Sequence, residues 1–102
     1  MELVIKMVEQ AYDELDGSKE YIKCATKYKS EYPEIAQVYY EMSLTEMEHM
    51  AKIHDMIDRL INNMRAKGIE IDEKMMAIYE YEHDKAIEKA TKIRVMQEMY
   101  KR

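Results

Sequence analysis

The sequence predicts an all-α protein of three long antiparallel helices in up-down-up order, and three observations carry that prediction. Only two Gly and one Pro occur in 102 residues, too few punctuation points for a many-turned β fold. Met, Lys, Glu, Ala, Ile and Tyr dominate, and with no Phe or Trp the core must be filled by Tyr, Met and aliphatic side chains. Apolar residues recur at three- and four-residue intervals over three long segments, separated by two short breaks. A chain of this length has room for one core, so residues 1–102 are expected to form a single helical domain.

The first helix is expected from Glu2 to Tyr28. Its stripe runs Val4, Met7, Val8, Ala11, Leu15, Ser18, Tyr21, Ile22, Ala25 and Tyr28. Asp16-Gly17-Ser18 interrupts it, and an alternative reading breaks the helix there with Ser18 as an N-cap. The stripe keeps its phase across Gly17, which favours one continuous helix in which Gly17 admits a close neighbour. Lys29–Glu34 is the first connection: Pro33 suits the first turn of a new helix and pushes Tyr32 towards an extended conformation.

The second helix then runs from Pro33 to about Ala66, roughly 50 Å at 1.5 Å per residue. Lys67-Gly68 closes it, with Gly68 at the left-handed capping position. Its apolar residues form two stripes, Val38-Met42-Ile53-Met56-Leu60 and, beside it, Met50-Ile57-Ile61. So wide an arc predicts that this helix is central and touches both others. Asp72 is the expected N-cap of the third helix, which continues to the C-terminus. Both connections are short, so consecutive helices should be antiparallel neighbours.

Composition excludes several classes of function. The net charge is −5 with both signs interspersed, so no clustered basic face is available and nucleic acid is not an expected partner. No apolar run approaches the roughly 18 residues of a membrane span and no signal peptide is evident, which argues for a cytoplasmic protein without membrane partners. The single Cys24 makes no internal disulfide and, mid-helix beside Ala25, reads as a packing residue in a reducing compartment. Eleven Met scattered over all the helices suit a pliable core better than a copper site. No nucleophile–base pair, phosphate-binding Gly loop or Cys-based zinc motif supports a hydrolase, kinase or zinc finger.

Chemistry enters where polar residues fall on apolar rows. Glu46 and His49, three positions apart and therefore stacked on one helical face, lie on the Val38-Met42-Ile53 stripe. Glu14 occupies the seam of the first helix, within the row Val4-Met7-Ala11-Glu14-Ser18-Tyr21. Two carboxylates on facing seams repel each other unless a cation or a shared proton lies between them. His54, five residues beyond His49, turns to the second stripe and should face a different neighbour. On the third helix Glu82 points inward with His83 at its shoulder, while Glu80 of a second Glu-x-x-His lies nearer the polar face. Metal ligation by Glu14, Glu46 and His49 is the first expectation; His54, Glu82 and His83 form a second candidate set. The bland reading of each is a hydrogen-bonded core histidine or a carboxylate paired with Lys.

Glu14 followed by Tyr21 and Ala25, then Glu46-Met47-Glu48-His49 thirty-two residues after Glu14, resembles one half of a ferritin-like di-iron protein of the rubrerythrin and bacterioferritin type. The resemblance covers the first two helices. It implies a terminal ligand in Glu14, a bridging ligand in Glu46, a nitrogen donor in His49 and an outer-shell hydrogen-bonder in Tyr21. The family's full site needs four helices and two such half-sites, whereas this chain offers three helices and one half. The resemblance therefore implies a bundle completed by a homodimer or higher homo-oligomer, as in the short encapsulated ferritins. The uncovered apolar surface of three amphipathic helices points the same way.

Two functions follow as expectations. The first is a metal-binding ferritin-like protein, with Fe favoured by the resemblance and Mn or Zn as alternatives, since carboxylate–imidazole ligation suits these better than soft copper. With iron, it would oxidise Fe(II) in an oxygen- or peroxide-dependent reaction, or store it. The alternative is a non-enzymatic helical assembly or adaptor protein, bacterial or prophage, that keeps the ferritin-like fold without metal. There the same residues would form a buried triad fixing helix register.

Overall fold

Three helices form where the apolar periodicity places them: α1 Glu2–Tyr28, α2 Pro33–Ala66 and α3 Glu73–Lys101. The computed structural model describes residues 2–102; Met1, the first residue of the expected domain, lies outside them. α1 runs unbroken through Gly17, because the apolar stripe on either side of it buries one continuous face: Val4, Ala11, Leu15, Ser18, Ile22 and Ala25. Pro33 opens α2 and leaves Tyr32 outside helical geometry. At its far end Gly68 takes φ 72°, which lets its N–H reach the Arg65 carbonyl while that of Ile69 reaches Met64, a complete Schellman stop. Asp72 caps α3 by accepting a hydrogen bond from the Lys74 N–H at 2.9 Å.

The molecule is a rod of 56 × 19 × 18 Å. Its core runs the length of the rod in three groups. Val4, Ile57 and Ile61 fill one end. Ala11, Leu15, Met47, Met50, Ala90 and Ile93 fill the middle, and Ile22, Ala25, Ala36 and Tyr100 fill the other end. α1, not α2, is the helix whose backbone comes close to both others. The reason is side-chain size. α1 presents Ala11, Ser18 and Ala25 to its neighbours, whereas α2 meets α3 through Met47, Met50 and Tyr40, which hold the two axes apart.

The two stripes of α2 also divide differently from expectation. Met50, Ile57 and Ile61 are buried, but Val38 is 54 % exposed, Met56 45 % and Met42 38 %. At about 100° per residue, Val38, Met42, Ile53, Met56 and Leu60 lie on the side of the α1–α2 pair opposite α3. Ile35 on α2 and Leu3, Met7, Tyr21 and Tyr28 on α1 share that side. Among the described residues, Met7, Ile53 and Leu60 keep part of their surface against the core, while Ile35, Val38, Met42 and Met56 stay exposed. No helix among the described residues is long and apolar enough to cross a membrane.

Candidate metal centre

Glu14 is delivered by α1, one residue before the buried Leu15, and Glu46 by α2, one residue before the buried Met47. The core residues fix the rotation of each helix, and the carboxylates consequently meet at the edge of the seam. His49, one turn beyond Glu46, reaches the same point. One ligand atom from each of the three lies within 4.8 Å of the others. Among the described residues this is the one group of three His, Cys, Asp or Glu side chains brought so close. The cluster sits on the uncovered face and not inside the single chain: the Glu14 side chain is 25 % exposed and that of His49 47 %.

Several features suit this cluster to a cation. His49 Nδ1 stands 3.4 Å from Glu14 Oε2, yet that oxygen is inaccessible to solvent and accepts no hydrogen bond. A buried carboxylate oxygen without a partner costs free energy that a bound ion would recover. The Glu46 carboxyl is pushed above its ordinary range, first by the close approach of the Glu14 carboxyl, then by burial and by the Glu14 charge; His49 pulls it back down. Such a rise is what two carboxylates crowded together produce when nothing positive stands between them. Gly17 supplies the space: a Cβ there would stand 3.2 Å from Glu46 Oε2. The close neighbour expected at Gly17 is thus the Glu46 carboxylate itself. Two carboxylates and one imidazole form a donor set for Fe(II), Mn(II) or Zn(II). Tyr21, two turns beyond Glu14, packs its ring 6.2 Å from that of Tyr39, and among the described residues it makes no hydrogen bond to the three ligands.

The second candidate set is only partly assembled. His54 and His83 meet across α2 and α3, with Nε2 to Nε2 at 2.5 Å and ring centroids 4.6 Å apart. His54 therefore does face a neighbour different from that of His49. Glu82 does not join them as a ligand. It precedes His83 by one residue, about 100° around α3, so both cannot point at His54; its backbone carbonyl instead accepts the Tyr12 hydroxyl at 2.9 Å. Burial first, then the nearby Glu82 side chain and its charge, push the Tyr12 phenol up to about 12. Glu80 is exposed, as its place near the polar face predicts.

A fully buried polar junction went unread in the sequence. Ser18 Oγ donates to the Ser43 carbonyl and Ser43 Oγ to that of Ser18, both at 2.8 Å. Gln97 Nε2 on α3 donates to Ser43 Oγ at 3.0 Å. The signal was present: Gln97 falls on the row between Ile93 and Tyr100, and Ser43 one turn before Met47. Comparison with family models, curated proteins and solved structures finds no match to this chain.

Proposed function

We propose that this protein binds divalent metal, iron foremost, at Glu14, Glu46 and His49, and that a second copy of the chain completes the site. The observation that carries the reading is the orphaned Glu14 Oε2 within a cluster whose three ligand atoms lie within 4.8 Å of one another, beside a Glu46 carboxyl that Glu14 pushes above its ordinary range. Glu14 and Glu46 would hold negative charge against the metal, and His49 would give a neutral nitrogen. Fe(II) held there would give up an electron to oxygen or peroxide, or would simply be stored. Gly17 keeps the Glu46 carboxylate in place by leaving room for it.

Two further observations support completion by a second copy. The face that carries the cluster is the apolar one that α3 leaves bare, with exposed Ile35, Val38 and Met42 on one side of the cluster and Met56 on the other. The cluster also lies near the midpoints of both α1 and α2. A two-fold axis through the middle of that face would bring two clusters together, whereas a cluster near one end would be carried away from its mate. Four helices and two half-sites would result, the arrangement that the resemblance to ferritin-like proteins implies.

The metal-free assembly reading assigns the triad the task of fixing helix register. The buried Ser18–Ser43–Gln97 junction already performs that task, which weighs against it. Anaerobic Fe(II) titration of protein purified without chelator, with metal content measured after gel filtration, tests the proposal. Wild type should retain iron and Glu46→Ala should lose it with helical content intact. A stoichiometry near zero for wild type would leave the assembly reading standing alone.

A further inference from the structure

α2 and α3 approach each other less closely than either other pair of helices. Yet they meet at two imidazoles, His54 and His83, whose Nε2 atoms stand 2.5 Å apart. At that separation an N–H on one Nε2 can donate to the other, whereas an N–H on both would set two donors against each other. The arrangement behind the rings is matched. His54 Nδ1 has Asp58 Oδ2 at 3.8 Å, and His83 Nδ1 has Asp84 Oδ1 at 3.8 Å. Tyr79, one turn before His83, donates its hydroxyl to Asp58 at 3.4 Å. Both carboxylates stand beyond hydrogen-bond length from Nδ1, near enough to be drawn in when the Nε2 atoms, which converge on one point, take a metal.

We propose that His54 and His83 form a second cation site, independent of the Glu14 cluster, that takes a nitrogen-preferring divalent ion of the zinc, nickel or copper group and ties α3 to α2. The donor set is two imidazoles with no carboxylate among the inner ligands, which favours these ions over Fe(II) or Mn(II). A cavity of about 30 Å³ borders both rings, together with Ala11, Met50 and Ala86, and is of the size that holds one ion or one water. Tetrahedral ligation at about 2.0–2.1 Å needs the Nε2 atoms roughly 3.3 Å apart. The rings can open by that amount, because both side chains are about one-third exposed, at 34 % and 31 %. The remaining coordination positions fall to solvent.

The test uses the full chain carrying Glu46→Ala, which lacks the first site, so that failure here and failure of the iron reading are separately visible. Zn(II) binding by equilibrium dialysis, with Co(II) visible absorption reporting nitrogen ligation, should show one ion per chain. Adding His54→Ala or His83→Ala should weaken binding at least tenfold, with circular dichroism confirming that the helices remain. Equal Zn(II) affinity with and without the two histidines overturns the proposal, as does no Zn(II) binding by the Glu46→Ala chain. Should these variants fail to fold, anomalous scattering from zinc-soaked wild-type crystals decides: an ion between the rings supports the site, and zinc confined to the Glu14 cluster overturns it.

Discussion

Gly17 and Glu46 set a local conflict between helix stability and cation binding. A glycine in mid-helix costs about 1 kcal/mol relative to alanine, and Gly17 occupies the middle of α1 with ordinary helical geometry. Gly17→Ala should therefore raise the urea stability of the metal-free protein, by up to about 1 kcal/mol. The same methyl group would stand 3.2 Å from Glu46 Oε2, so the carboxylate must shift and cation affinity should fall about tenfold. Chelator-treated melts and Fe(II) titration on one preparation check both halves; equal affinities would show that the carboxylate position does not matter. The raised Glu46 carboxyl has a consequence for pH. The folded chain holds this proton more tightly than the unfolded chain does, so its stabilising contribution is full below the ordinary carboxylate range. It is lost as pH rises through the folded value. A bound cation replaces the proton, so the thermal shift on adding metal should grow from acid towards neutral pH. Glu46→Gln should flatten the pH dependence of the metal-free protein, and an unchanged profile would remove Glu46 as its source.

At the level of the helices, the close α1–α2 crossing rests on Ser18 and Ser43, each donating to the other's backbone carbonyl, with Gln97 locking α3 onto the pair. Ser43→Ala removes one of the reciprocal bonds and the main acceptor of Gln97, and should cost about 1–3 kcal/mol in urea unfolding with the m-value unchanged. Ser43→Val should cost more, since a branched side chain forces apart backbones that approach because both residues are small. An Ala variant as stable as wild type would show that the junction is dispensable. The helix bounds could be read from local chemistry: Pro33, Gly68 and Asp72 each act through their own backbone and nearest neighbours, and each acts as read. Glu14, Glu46 and His49 could be placed together because core residues beside them fix which way each helix turns. The exposure of Val38 and Met42 could not, because periodicity identifies an apolar face and not what covers it. Nor could the central position of α1, which depends on small residues that hydropathy counts as weak signals.

For the whole molecule, the bare face of the α1–α2 pair is the dominant unsolved term. A strip as long and wide as the rod, 56 by 19 Å, is on the order of 1,000 Å² per copy, within the range of stable interfaces. The proposed two-fold pairing would place every residue of that face in the interface twice, so one substitution acts at two points. Ile35→Lys with Val38→Lys would set four ammonium groups in the dimer, more than one helical turn from the metal ligands, while removing four apolar side chains worth about 1.5–3 kcal/mol each when buried. Neither residue is needed for the fold of the single chain, since both are exposed there. The double variant should therefore remain helical, sediment at the monomer mass of 12.3 kDa and melt at a temperature independent of concentration. Wild type should sediment at an even multiple of that mass and melt higher as concentration rises. Iron affinity should fall in the variant although Glu14, Glu46 and His49 are untouched, because only half of the ligands would remain. Wild type sedimenting as a monomer with full iron affinity would separate the metal site from dimerisation. The apolar face would then need a different occupant.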